Sequence, residues 1–234
     1  MSSPTEHERA PHVIAIDGPS GVGKGTLAGR LASHLGWHLL DSGAIYRTLG
    51  YAALQHGVSL DDPNALAELA SRLPLTFLRG AEGTPVAHLD GEPVGDAIRA
   101  EAAGTAASRV AAYPIVRDAL FALQQGFRRS PGLVADGRDM GTVVFPDSTL
   151  KLFLTASARV RAERRHKQLI EKGVSATIHA LFEAIRARDK RDRERSVAPL
   201  IPAEDAVQID TTLMSAETVW RQVLMLLPSA LASN

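Results

Sequence analysis

The chain has 234 residues, of which 45% are apolar and 22% charged, with 26 basic side chains balanced by 26 acidic ones. That length fits one enlarged α/β domain with room for insertions, and a formal charge of zero offers no global attraction to nucleic acid or an anionic membrane. The absence of cysteine excludes disulfides, zinc–thiolate sites and thiol catalysis, and it is compatible with a reduced, cytoplasmic setting.

The first eleven residues, MSSPTEHERAP, are polar and lack an apolar run, so they read as a flexible tail and not a signal. No stretch reaches the roughly 18 apolar residues of a membrane span. His12–Asp17 is a short β-branched run that predicts a buried strand, ending at a glycine-rich loop. Leu27, Ala28, Leu31, Ala32 and Leu35 then recur at helical spacing, with Gly36 as the stop. Trp37–Leu40 predicts a second strand, Asp41-Ser42-Gly43 a cap and turn, and Ala44–Gln55 and Asn64–Ser71 two helices. Leu75–Leu78, the stretch Gly80–Pro85, Val86–Leu89 and Glu92–Val94 read as short strands joined by turns, with Asp90-Gly91 as a hairpin signal. Helices are expected over Ala97–Ala111, Ile115–Arg128, Ser157–Lys172, Ala176–Arg195 and Ser215–Leu227, and strands over Gly132–Asp136, Thr149–Leu154 and Ala206–Asp210. Strands alternating with helices imply an α/β three-layer sandwich around a mostly parallel sheet, carrying a small antiparallel insertion.

The loop Gly18-Pro19-Ser20-Gly21-Val22-Gly23-Lys24-Gly25-Thr26 joins a strand to a helix. Its backbone N–H groups and the helix dipole can cradle phosphates, and Lys24 can reach the outer ones. The usual pattern places Ser or Thr directly after the lysine, to sit on Mg²⁺; here that position is Gly25 and the hydroxyl follows at Thr26. This Gly-Lys-Gly-Thr variant resembles the nucleoside monophosphate kinases, in which the metal is held mainly by phosphate oxygens and water. Asp136, at a strand's end, would be the acid near that ion.

Transfer to a second nucleotide requires an acceptor site with positive charge, and three clusters offer one. Asp41-Ser42-Gly-Ala-Ile-Tyr46-Arg47 places Ser42 at a helix start and Arg47 about one turn in. Asp136-Gly137-Arg138-Asp139 follows a strand, where ligands of open α/β sheets bind. At 100° per residue, Leu181, Ala184 and Ile185 share a face with Arg188, Arg191, Asp192 and Arg195. Charges continuing a buried stripe should line a cavity, whereas Arg186, Lys190 and Arg193 on the opposite face read as solvated. Arg161 and Arg165, an i, i+4 pair, would close over the donor phosphates as a lid, with Arg164 as the alternative.

The runs IDGPSGVGKGT, LLDSGAIYR, ADGRDMGTVVFP and RDKRDRERSVAPL closely resemble the bacterial cytidylate kinases, from His12 to the closing helix. The resemblance implies transfer of the γ-phosphoryl group of ATP to CMP or dCMP, with Gly18 to Thr26 holding ATP. It further implies that Arg47, Arg138 and Arg195 grip the acceptor phosphate, that Arg188 and Asp192 contact its sugar, and that Ser108, Arg117 and Asp139 read the cytosine edge. Ser108 and Arg117 carry no signal of their own, since both lie in ordinary helical sequence. The implied organisation is a P-loop core (12–41, 105–156 and 196–234), a monophosphate-binding domain (42–104) with the small β insertion, and a helical lid with the arginine-rich helix (157–195).

Other readings are a P-loop kinase for another acceptor, such as UMP or a non-nucleotide hydroxyl; a GTPase-type switch, which would want an Asn-Lys-x-Asp run absent here; and RNA binding through the arginine helix, disfavoured by zero net charge and 5% aromatic content. Small-molecule nucleotides are therefore the expected partners, with no nucleic acid or membrane, and a monomer is the default in the absence of an obvious exposed apolar helix face.

Overall fold

A computed structural model describes residues 10–79, 85–171 and 173–232. Most of the expected tail (1–9), the stretch 80–84 and Lys172 lie outside these. The elements in order are β1 (His12–Asp17), α1 (Lys24–Leu35), β2 (His38–Asp41), α2 (Ser42–Gln55) and α3 (Pro63–Ser71). There follow β3 (Leu75–Arg79), β4 (Pro85–Leu89), β5 (Glu92–Pro93), a 3₁₀ turn (Ala97–Arg99), α4 (Glu101–Val110) and α5 (Pro114–Gln125). The chain closes with β6 (Gly132–Gly137), a π turn (Met140–Val144), β7 (Leu150–Thr155), α6 (Ala158–Glu171), α7 (Ile178–Glu194), β8 (Val207–Asp210), α8 (Ala216–Leu226) and α9 (Ser229–Ala232).

The main sheet runs β2-β6-β1-β7-β8 and every pairing in it is parallel. Strand alternation explains the three layers. Val13 and Ala15 of β1 pack with Ile45 and Leu49 of α2, Leu66 of α3 and Val116 and Leu120 of α5. Ile14 and Ile16, one residue out of phase, pack with Leu27 and Leu31 of α1 and Val219 and Val223 of α8. In register, Ile16 opposes Asp136 and Asp41 opposes Asp136, so the carboxyl ends of β1, β2 and β6 come together at one edge of the sheet.

The insertion forms a separate antiparallel sheet, β3-β4-β5. Asp90 and Gly91 both have positive φ, 52° and 83°, as a two-residue hairpin turn of the right twist requires. The helix expected over Ala97–Ala111 is broken at Ala100, which is extended (φ −63°, ψ 152°). Five residues separate Ile98 from Ala103, about 140° around a helix. A continuous helix would turn Ile98 away from the face carrying Ala103, Ala106, Ala107 and Val110, yet all five are buried. Breaking the helix lets both parts reach the core. Helices α6 and α7 make a hairpin with a small core of its own, Ala162, Leu169 and Leu181. Among the described residues no helix is long and apolar enough to cross a membrane.

Candidate active site

The phosphate loop begins where β1 ends. Gly18 has φ +146°, and a Cβ there would lie 2.2 Å from the Leu154 carbonyl oxygen of the neighbouring strand, so only glycine lets the chain leave the sheet at this point. Gly21 and Gly23 also have positive φ, 78° and 100°. Val22 drops into the core between them, and Lys24 opens α1. Lys24 is 6% exposed; its Nζ donates to the Pro19 carbonyl at 2.9 Å and lies 3.7 Å from Asp136 Oδ1. Burial and then Arg138 push the ammonium down, while burial pushes its partner Asp136 up. Thr26 is exposed, in the first turn of α1. A cavity of about 580 Å³ opens over this loop, and Thr26, Asp136, Arg47, Arg138 and Arg188 face it together with Lys24.

The cation-rich wall of the cleft, the candidate acceptor side, is assembled from separate elements. Asp41 caps α2 through the Ala44 N–H at 2.8 Å and pairs with Arg47 Nη2 at 2.8 Å. A Cβ on Gly43 would meet Arg47 Nη1 at 2.8 Å, so this glycine gives the guanidinium its path back over the helix start. Asp192 of α7 is a hub. It accepts from Ser108 Oγ of α4 (2.9 Å) and Arg138 Nε (3.1 Å), and Arg188 Nε is 3.9 Å away. Burial alone would raise this carboxyl, but Arg138, Arg188, the Ser108 hydroxyl and Arg195 together hold it below the ordinary carboxylate range. Asp139 is paired with Arg117 Nη2, and Arg195 Nη2 lies 3.8 Å from its other oxygen. The Arg117 guanidinium carbon sits 5.7 Å from the centre of the Tyr46 ring. Tyr46 is pushed up to about 12 by burial, and Ser42 Oγ donates to Gln124 Oε1 at 2.7 Å.

Four buried polar atoms in these clusters have no hydrogen-bond partner among the described residues: Tyr46 Oη, Arg47 Nε, Arg188 Nε and Arg195 Nη2. Unpaired buried donors are costly and rare. Arg188 is pushed down to about 10, first by burial and then by Arg138. Cations crowded in one cleft with unused N–H groups suit an anion with many oxygens.

The lid arginines occupy different places. Arg161 is 2% exposed and faces inward. Its Nη1 and Nη2 grip Asp189 of α7, Nη1 also donates to the Ser20 carbonyl at 3.1 Å, and Nε donates to the Ala156 carbonyl at 3.0 Å. All three of its nitrogens are engaged by protein, so here it braces the phosphate loop from behind and does not face the cleft as the lid reading expected. Arg165 reaches the other wall, donating to Glu101 Oε1 at 2.7 Å and the Arg99 carbonyl at 3.1 Å. Arg164 lines the cavity and donates to Thr211 Oγ1 and the Thr211 carbonyl, at 3.2 and 2.6 Å.

The face expected on α7 does line a cavity, through Leu181, Ala184, Ile185, Arg188 and Arg191, but the buried stripe is rotated from it. Leu181, Asp189 and Asp192 are buried and Arg188 half-buried, whereas Ala184 and Arg191 are exposed. The helix packs against α6 on one side, and Arg161 draws Asp189 inward. The buried stripe therefore centres nearer Asp192, and Arg191 reaches the site only from its edge, with Nε 3.4 Å from Ser108 Oγ. The sequence reading missed three residues, Asp17, Gln124 and Asp189. An acid inside an otherwise apolar strand end was the available signal for Asp17; Gln124 and Asp189 lie in helical runs that carry none.

The comparisons with known proteins identify the family. The family model described as cytidylate kinase matches residues 14–229. A cytidylate kinase of Pseudomonas aeruginosa (strain UCBPP-PA14) is 56% identical over 214 residues, covering 91% of this chain and 93% of that protein. The cytidylate kinase of Aeromonas hydrophila subsp. hydrophila is 57% identical over 212 residues, covering 91% and 92%. With nearly its whole length matched, the chain belongs to the cytidylate kinase family.

Proposed function

We propose that this chain is an ATP-dependent nucleoside monophosphate kinase that moves the γ-phosphoryl group of ATP to CMP or dCMP, giving CDP or dCDP. The observation that carries the reading is the pairing of a triphosphate loop with a cation-rich cleft whose buried donors Arg47 Nε, Arg188 Nε and Arg195 Nη2 are unpaired. An oxygen of the acceptor phosphate attacks the γ-phosphorus, the bond to the β–γ bridging oxygen breaks, and ADP leaves. The acceptor phosphate is already largely ionised at neutral pH, so no general base is needed. Positioning and charge neutralisation supply the catalysis.

The loop Gly18 to Thr26 holds the donor phosphates and Lys24 neutralises the charge that develops on them. Arg47, Arg138 and Arg195 hold the acceptor phosphate, and Arg188 and Asp192 the sugar. Ser108, Arg117 and Asp139 read the base, an acid facing the cytosine amino group and donors facing its ring acceptors. Ser42 and Tyr46 wall that pocket. Arg165 ties the lid to the acceptor wall, and Arg161 acts from behind the loop. Mg²⁺ adds charge neutralisation when bound. By resemblance to the nucleoside monophosphate kinases its ligands would be mainly phosphate oxygens and water, with Thr26 and Asp136 beside them on the cavity wall. Residues 12–41, 105–156 and 196–234 serve as the core, 42–104 as the monophosphate-binding domain and 157–195 as the lid, in a cytoplasmic monomer.

A screen of acceptor monophosphates with Mg·ATP tests this. CMP and dCMP should be converted far faster than ATP is hydrolysed alone. Equal rates with AMP, GMP, UMP and CMP would refute the base-reading assignment.

A further inference from the structure

We propose that Asp17 is a positioning residue for the acceptor base: it caps the turn after β6 in place of Asp139, and so frees the Asp139 carboxylate to face the base pocket. This rests on the proposed function above. The turn Met140–Val144 is a short helix whose N-cap residue is Asp139, and Asp139 makes no side-chain cap bond. That is unusual, because aspartate at an N-cap ordinarily turns its carboxylate onto the first-turn N–H groups. Here those groups are already taken. Asp17 Oδ1 accepts from the Met140 N–H at 2.9 Å and Oδ2 from the Gly141 N–H at 2.8 Å. With its own helix capped from the neighbouring strand, Asp139 instead turns to Arg117 and Arg195.

Two further observations separate this role from packing. Asp17 is 5% exposed; burial pushes it up to about 7 in spite of the two N–H groups and the attraction of the Lys24 charge. That desolvated carboxylate supplies the two acceptors that the Met140 and Gly141 N–H groups would otherwise lack, and so relieves Asp139 of that task. It also sits between the two halves of the reaction, since the next residue in the chain is Gly18 of the donor loop while its carboxylate holds the turn just after Arg138 and Asp139. A slip in this cap moves the base-reading acid without moving the backbone that cradles ATP.

Asp17→Asn is the test. The amide preserves volume but keeps one acceptor, so one first-turn N–H loses its partner and Asp139 is drawn toward it. The KM for CMP should rise about tenfold and the preference for CMP over UMP should fall by about the same factor, while the KM for ATP stays within about twofold. In the unliganded protein the Met140 and Gly141 amides should exchange with solvent at least about tenfold faster than in the native chain. If the asparagine variant does not fold, Asp17→Ser is measured with the same constants. An unchanged CMP KM and base preference, or an equal rise in the ATP KM, overturns the role. Failure of the native chain to phosphorylate CMP overturns the proposed function instead; unchanged amide exchange in the variant overturns the cap and with it the positioning role.

Discussion

The donor loop and the acceptor pocket are built from different materials. Nine consecutive residues, Gly18 to Thr26, make the donor cradle, mostly with backbone N–H groups and three positive-φ glycines. The acceptor pocket takes side chains from α2, α4, α5, the turn after β6 and α7, and no two of those elements share a stretch of sequence. A backbone site is preorganised as soon as its strand and helix form. A side-chain site depends on each supporting contact, and it leaves donors such as Arg188 Nε and Arg195 Nη2 unpaired. Damage to the first should therefore stop the chemistry, whereas damage to the second should weaken binding of one substrate.

The largest effect is expected at Lys24, the cradle's own cationic side chain facing the cavity. Lys24→Ala should lower kcat by about 10³-fold, the scale of losing a preorganised electrostatic contact to a transition state. Because Asp136 loses one cationic partner but keeps the nearby charges of Arg138 and Arg47, thermal unfolding should shift little. A kcat within about tenfold of native would remove Lys24 from the chemistry.

The next effect concerns the joint between the two regions. Arg161 and Asp189 form a buried bidentate pair, and Arg161 also holds the Ser20 carbonyl. Asp189→Asn leaves a buried guanidinium without its counter-charge, which should cost about 3 kcal/mol in urea unfolding. If the pair also braces the loop, the ATP KM should rise more than the CMP KM. Loss of stability with both constants unchanged would make the pair purely structural.

The contrast also explains what was legible in the sequence. The loop was readable because its spacing, flanking strand and following helix are all local. Asp41–Arg47 and Asp136–Asp139 were readable for the same reason, since each cluster lies within a few residues at a strand end. Ser108 and Arg117 entered only through the family resemblance: each reaches the cleft by meeting Asp192 or Asp139, 84 and 22 residues away in sequence. The α7 stripe was read from ideal helical geometry, which gave the correct helix and a cavity-lining face, Leu181, Ala184, Ile185, Arg188 and Arg191, but not the burial of Asp189. The phase of that face is set by the pairing with Arg161 on another helix, information that periodicity does not hold.

The smallest of these effects should fall on Arg188, and its character matters more than its size. Its Nε lies 3.9 Å from Asp192, beyond hydrogen-bond distance, and burial with Arg138 beside it pushes the guanidinium down to about 10. In the free protein Arg188 therefore contributes little to stability, and removing it relieves repulsion among the cleft cations. With acceptor bound, the same charge gains oxygens to pair with. Arg188→Ala should thus leave the unfolding midpoint equal or slightly higher, raise the CMP KM by about thirtyfold, the scale of one charged hydrogen bond, and leave the ATP KM nearly unchanged. A stability loss without a change in the CMP KM would show that the cleft cations serve the fold, and the difference between the two regions would then lie in packing and not in what each one binds.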